Sequence, residues 1–206
     1  MSKPDKGKSI IGKSELKPIL EVLSDDNTKL RKSRIILLST SIDDCIASGF
    51  ICEMMLMIRE GKSPIRVIIS SEGGDLLSGL GIIRAIQYAQ TQGIQVDGEV
   101  FGQALSMAFF ILQSCDKRIM GNGDFIMCHG VFVQQGSDRK GRKAEDKMLD
   151  TAEDFFCQML SEKNTSTKKE FHDPDYWRVL LEEDTPNYYS ADEAMDLGLI
   201  DEVFAK

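Results

Sequence analysis

A serine near the middle of the chain has the surroundings of a nucleophile. Ser106 lies in the run 102–107, which follows a β-like stretch at 94–100 and precedes an apolar run at 108–112. This pattern predicts a turn from a strand into a helix, where backbone N–H groups lack partners and the helix dipole favours developing negative charge. A hydroxyl group there becomes a nucleophile if a base lies within reach. A serine that only begins a helix is the common alternative.

The sequence offers two histidines as that base, His129 and His172. His129 follows a hydrophobic run, and a parallel strand there would end beside Ser106 at the sheet edge where loops meet. His172 lies in a polar segment before a short helix and is interpreted as a loop residue. Cys128 is the neighbour of His129, but adjacent strand residues point to opposite faces, so we expect Cys128 in the core.

Two more segments complete a pattern that extends over most of the chain. The pair Gly73-Gly74 separates a strand-like run from a helical run, and residues 190–201 read Ser-Ala-Asp-Glu-Ala-Met-Asp-Leu-Gly-Leu-Ile-Asp. With the Ser106 and His129 segments, these resemble in order the motifs of the proteolytic subunit of the Clp protease family (ClpP). In that family the serine lies in Gly-x-Ala-x-Ser-Met, and the chain ends in Ala-x-Glu-Ala-x-x-x-Gly-Leu-Ile-Asp.

The resemblance implies a fold, an activity and partners. The fold is α/β of the ClpP and crotonase type, a spiral of β-β-α repeats with a mostly parallel sheet, in which 1–28 is a polar N-terminal segment and 29–206 the peptidase domain. The activity is that of a serine endopeptidase that cuts unfolded polypeptides inside a ring-shaped homo-oligomer, with rings of seven subunits stacked in pairs. An ATPase unfoldase is the implied partner, although 1–28 do not follow the family's axial-loop pattern.

The same resemblance assigns roles to particular residues. Ser106 is the expected nucleophile and His129 the expected base. The oxyanion donors are the backbone N–H groups of Gly74 and Met107. Elementary chemistry agrees, since glycine lets backbone approach a substrate closely and the Met107 N–H lies at the free start of a helix.

The acid that orients His129 is the least certain member of the site. In relatives it stands four residues before the serine at position 190, where this chain has Pro186, which has no side-chain acceptor. Asp184 fills the role if residues 186–187 form a bulge, which loops absorb at a cost of about 0.6 kcal/mol per doubling of length. Asn187 and Glu183 remain alternatives.

Two further departures leave a second interpretation open. Glu72 replaces the proline that usually precedes the glycine pair and adds negative charge near the oxyanion, and Ala108 stands where many relatives have glycine. The alternative to a peptidase is therefore a catalytically weak or inactive ClpP-like ring subunit with a structural or partner-docking role. A crotonase-type acyl-CoA enzyme is a remote third possibility, because it needs no Ser-His pair.

Composition excludes several other classes. The net charge of −8 and pI near 4.9 argue against nucleic-acid binding. No apolar run reaches the roughly 20 residues that span a bilayer, and the N-terminus lacks a secretory pattern. Five cysteines without a C-x-x-C pair indicate buried thiols in a reducing compartment, and a cytoplasmic location is expected. No spacing of histidines and cysteines indicates a metal, so no cofactor is expected.

Apolar periodicity predicts the elements that position these residues. The resemblance implies that the basic segment 130–147 is a strand-like arm that lines the substrate. The methionine-rich stretch 52–57 is expected in the core or, by the resemblance, in a subunit interface. Strands are predicted at 34–38, 65–70, 94–100, 117–120 and 125–129, and helices at 42–61, 75–92, from 106, at 144–163 and at 191–198.

Overall fold

The computed structural model describes residues 29–130, 139–164, 172–182 and 185–204, with side chains of the second range described over 146–163. Several expectations fall outside these ranges. They are the N-terminal segment 1–28, the first part of the predicted arm at 131–138, and two candidate acids, Glu183 and Asp184.

Within the described ranges, seven strands form one sheet with the order β1-β2-β3-β4-β7. Every neighbouring pair along this order is parallel, and β5 adds a further parallel pair against the end of β3. The one antiparallel pair described joins β6 to β5. The mostly parallel α/β fold is confirmed. The strands are β1 (Ile35–Leu38), β2 (Ile65–Ser71), β3 (Val96–Leu105), β4 (Lys117–Gly121), β5 (Phe125–Cys128), β6 (Asn187–Tyr189) and β7 (Glu202–Phe204).

Helices cover this sheet and build the core against it. The third helix is buried along its whole length, and Met54 and Met57 on the first are fully buried, as expected of core residues. Met55 in the same stretch is half-buried, and Cys45 and Cys52 are exposed, so the expected burial of all five cysteines was wrong. The helices are α1 (Asp44–Glu60), α2 (Leu76–Thr91), α3 (Met107–Ser114), α4 (Arg139–Asn164), α5 (Pro174–Leu181) and α6 (Ala191–Asp196).

Besides the start of the first helix, two predicted boundaries were wrong and two short strands were not predicted. The third strand continues five residues past Val100, because 103–105 pair with β5 after β4 has paired with 97–100. The long helix begins at Arg139 rather than Ala144, so the basic stretch 139–143 belongs to that helix and not to an arm. The short strands β6 and β7 were not predicted, since three residues are too few to show a period.

The first helix begins later than the sequence pattern indicated. Its N-cap is Asp43, whose side chain accepts a hydrogen bond of 2.8 Å from the N–H of Ile46. Ile42, expected as the first apolar residue of the helix, instead forms a parallel bridge with Gly74. The capping-box-like serine at 41 therefore lies outside the helix, because pairing with the glycine segment holds residue 42 extended.

A buried ion pair ties the C-terminal motif to the sheet. The Arg118 guanidinium, 1% exposed, donates to both carboxylate oxygens of Asp201 at 2.9 and 2.7 Å. It also donates to Gln113 at 2.8 Å, whose amide in turn donates to the carbonyl of Leu199 at 3.0 Å. Burial by itself would raise the pKa of Asp201, but hydrogen bonds and the charge of Arg118 outweigh it and lower that pKa.

Removing the negative partner should strongly destabilise the fold. We expect Asp201→Asn to lower the free energy of unfolding by about 3 kcal/mol, because Arg118 would remain buried without a counter-charge. The matched control Asp150→Asn, at an exposed position on α4, should change it by less than about 0.5 kcal/mol. Urea unfolding measures both.

This difference should also depend on pH. A carboxylate whose pKa is lowered in the folded state stabilises fully above its ordinary value near pH 4, and the contribution is lost as pH falls through the lowered value. If the difference in the free energy of unfolding between wild type and Asp201→Asn stayed constant down to strongly acidic pH, this account would be contradicted.

Candidate active site

Ser106 lies at the turn that joins β3 to α3, as predicted. Its backbone has φ 54° and ψ −123°, a positive φ that a residue with a side chain adopts at a cost on the order of 1–3 kcal/mol. The turn is held from one side by β5, because the N–H of Ser106 donates to the carbonyl of Met127 at 2.8 Å. No side chain caps α3. A strained serine at an uncapped helix start has the local geometry that a nucleophile requires.

Gly73 packs its Cα directly against that turn. A Cβ built at Gly73 would lie 2.6 Å from the carbonyl oxygen of Leu105, 2.8 Å from Cβ of Ser106 and 2.9 Å from N of Met107. Its φ is +98°, which also favours glycine. The sequence pattern did not indicate this contact of Gly73, and the expected approach of Gly74 to a substrate stays a prediction.

Gly74 lies against a different segment, at Ile42. The N–H of Ile42 donates to Gly73 O and Asp75 N–H donates to Ile42 O, both at 2.8 Å. In such a parallel bridge the N–H and carbonyl of the middle residue, Gly74, point away from Ile42. A Cβ at Gly74 would lie 2.2 Å from Ile42 O, so that only glycine fits here.

These contacts define the surroundings of the two expected oxyanion donors, the N–H groups of Gly74 and Met107, whose shared role stays a prediction. The chain segment of Gly73 and Gly74 lies against the first residue of α3, Met107. Among the described residues, neither the N–H of Gly74 nor that of Met107 has a hydrogen-bond acceptor. Two unpaired N–H groups beside a helix start form a site suited to a negatively charged oxygen.

His129 follows directly on the strand that pairs with the serine turn. Leu105 pairs with Met127 in the parallel ladder, so the chain reaches His129 two residues beyond the partner of Leu105. Its side chain is half-buried, and its Nδ1 lies 2.5 Å from the carbonyl oxygen of Gly130. In the tautomer that carries its hydrogen on Nδ1, this nitrogen donates to the carbonyl, which can only accept.

The residue expected to lie opposite His129 offers it no side-chain acceptor. Asn187 pairs with Cys128 across β5 and β6, and continuing that register places Pro186 opposite His129. Paired residues share a face, so Asn187 lies on the face of Cys128 rather than that of His129. Its amide donates to the carbonyl of Leu180 at 3.1 Å. The candidates Asp184 and Glu183 lie outside the described residues.

Comparison with known proteins accounts for this arrangement. The profile of a family described as Clp protease matches residues 20–206. The chain belongs to the Clp protease family. An "ATP-dependent Clp protease proteolytic subunit 3" of Parasynechococcus marenigrum (strain WH8102) is 29% identical over 184 residues, which cover 88% of this chain and 87% of that protein. A protein of the same description from Synechococcus sp. (strain CC9902) is 30% identical over 188 residues, with the same coverage.

The other reactive side chains named from the sequence have structural surroundings. Cys128 is fully buried in the core, as predicted, and burial raises the pKa of its thiol to about 12. The His172 ring stacks on Tyr176 with ring centres 3.9 Å apart and meets Trp177 edge-on. Glu72, the acidic residue that precedes the glycine pair, is exposed. No helix in the described ranges is both long and apolar enough to cross a membrane.

Replacing Gly73 should disrupt the serine turn more than backbone strain alone explains. Gly93→Ala is the matched control, because Gly93 also has a positive φ, +74°, but a Cβ there meets nothing within 4 Å. We expect the control to lower the free energy of unfolding by about 1 kcal/mol, and Gly73→Ala by a further 1–3 kcal/mol or so from the collision with Leu105 and Met107. If chemical denaturation showed the same loss in the free energy of unfolding for Gly73→Ala and Gly93→Ala, the close contact at Gly73 would be contradicted.

Cys128 should be inert towards alkylation while the protein is folded. With a thiol pKa of about 12, about one molecule in 10⁴ carries the thiolate at pH 8, and the thiolate is the reactive form. We expect iodoacetamide to modify Cys128 only after unfolding, as measured by peptide mass mapping. Exposed Cys45 provides the comparison in the same sample, and labelling of Cys128 at an equal rate would contradict its burial.

Proposed function

We propose that this member of the Clp protease family is a serine endopeptidase with Ser106 as nucleophile and His129 as base. The observation that best supports this is the hydrogen bond from the N–H of Ser106 to Met127 O. It fixes the strained serine beside β5, the strand that His129 directly follows. In the tautomer whose hydrogen is on Nδ1, Nε2 of His129 is suited to take the hydroxyl proton as the oxygen attacks a peptide carbonyl.

The N–H groups of Gly74 and Met107 are proposed to bind the oxyanion of the tetrahedral intermediate. Their support is that both lack acceptors among the described residues and that both lie beside the Ser106 turn. In related reactions the loss of one such donor costs on the order of 10²–10³ in kcat. Asp184 is the proposed acid, which would stabilise the charged imidazole as the proton arrives. The imidazolium then donates that proton to the leaving amine.

An apolar surface on the His129 face fits a polypeptide substrate. Phe125, Met127 and His129 alternate along one face of the chain, and Tyr188 shares that face because it pairs with Met127. Phe125 and Tyr188 are 49% and 57% exposed. We propose that an extended, unfolded polypeptide lies along this face of β5 and β6, with its apolar side chains against the rings of Phe125 and Tyr188.

We propose the oligomeric assembly and the partner of this protein from its membership of the family. The relatives are named as subunits of an ATP-dependent protease, which supports an ATPase unfoldase as partner. We propose a cytoplasmic homo-oligomer of seven-membered rings, stacked in pairs, that encloses the sites.

Labelling with a fluorophosphonate tests the catalytic pair. We expect one adduct, mapped to Ser106 by mass spectrometry and absent in Ser106→Ala. His129→Gln should slow labelling by at least about 10³-fold, because the serine loses its base. The matched control is His172→Gln, which should label at the wild-type rate. A folded and assembled wild type without an adduct would contradict the proposal and favour a structural ring subunit.

A further inference from the structure

The carboxylate of Asp124 holds the irregular part of β3 that leads into the serine turn. We propose that Asp124 is a positioning residue, which sets the register of β3 against β5 and so places Ser106 relative to His129. The effect of Asp124 on catalysis rests on the proposed function, whereas its effect on the backbone at Ser106 does not.

The third strand contains extra residues between two sections that pair regularly with β2. Val100 pairs with Ile69 at the end of the first section. Ala104 pairs with Ser71, so three residues of β3 lie opposite a single residue of β2. All three are exposed, whereas the residues of a regular strand point to alternate faces. The middle one, Gly102, has a φ of +84°, which glycine adopts readily. These features define a bulge, and a bulge leaves backbone groups without a partner in the ladder.

Asp124 supplies an acceptor to this bulge. Its Oδ1 accepts a hydrogen bond of 2.9 Å from the N–H of Gly102, and its Oδ2 accepts one of 2.7 Å from the N–H of Gly121 at the end of β4. Its own N–H donates to the carbonyl of Gly121 at 3.1 Å, which closes the turn between β4 and β5. A Cβ built at Gly121 would lie 3.1 Å from Oδ2, so the carboxylate packs closely against this turn. One side chain therefore joins the bulge of β3 to the start of β5.

The place of Asp124 in the sheet connects it to the proposed catalytic pair. The residue after Asp124 begins β5 and pairs with Gln103, which is the residue after Gly102. From there β3 and β5 stay paired as far as the hydrogen bond from the N–H of Ser106 to β5. A shift of one residue would turn every side chain of a strand to the other face. The register that Asp124 holds therefore decides where the chain reaches His129 relative to the serine.

A carboxylate at the other end of β3 provides a matched control. Oδ2 of Asp116 accepts a hydrogen bond of 2.8 Å from the N–H of Val96, the first residue of the strand. Asp124→Ala and Asp116→Ala each remove a carboxylate that binds the backbone of β3, but only Asp124 lies at the end that leads to Ser106. We expect both variants to lower the midpoint of thermal unfolding, so the two are compared well below both midpoints.

The rate of fluorophosphonate labelling tests the effect on the serine. We expect Asp124→Ala to reduce this rate by about 10- to 100-fold, because a displacement of about 1 Å at a reacting group costs a factor of that order. Asp116→Ala should label at close to the wild-type rate. Asp124→Asn keeps one acceptor oxygen and should lie between wild type and Asp124→Ala. An unchanged rate in Asp124→Ala, or an equal loss in Asp116→Ala, would overturn the inference.

Hydrogen exchange measured by mass spectrometry tests the backbone without any labelling. The N–H of Ser106 is bonded to Met127 O, so it should exchange slowly in wild type. We expect Asp124→Ala to raise the exchange rate of peptides that cover 102–106 by about 10-fold or more, and Asp116→Ala to raise it only around residue 96. An unchanged rate over 102–106 in Asp124→Ala would overturn the inference. If wild type is not labelled, the proposed function fails, and the exchange measurement still decides the role of Asp124.

Discussion

The contact of Gly73 with the Ser106 turn is the constraint on which the rest of the site depends. Gly73 lies between two backbones, with its carbonyl bonded to Ile42 and its Cα against Leu105 and Met107. This contact fixes the start of α3 relative to the end of β2. A Cβ at Gly73 would collide with the backbone of Leu105 and Met107 and so disturb the start of α3.

The strain at Ser106 is opposed by burial on both sides of the turn. Ala104 and Met107, which flank it, are buried, and the whole of α3 packs into the core. The third strand changes partner from β4 to β5 just before the turn, which lets Ser106 bond to Met127 while 97–100 stay in the central sheet. A positive φ of this kind persists where the surrounding structure holds the backbone firmly. At Ser106 the backbone is held by the hydrogen bond to β5 and by the buried helix α3.

Much of this arrangement could be predicted from the sequence because it depends on local patterns of residues. The turn at Ser106, the core position of Cys128 and the parallel order of strands follow from apolar periodicity and from the motif spacing. The length of β3 and the bridge of Ile42 could not be predicted, since both depend on a distant partner strand. The role of Gly74 as an oxyanion donor stays a prediction, and the contact of Gly73 with the serine turn is seen only in three dimensions.

The proposed oxyanion site is built from main-chain groups. On the proposed mechanism its donors are the N–H groups of Gly74 and Met107, which no exchange of a neighbouring side chain, such as that of Glu72, removes. A backbone group is held by the fold itself, so sequence drift at neighbouring side chains alters charge near the site without dismantling its geometry.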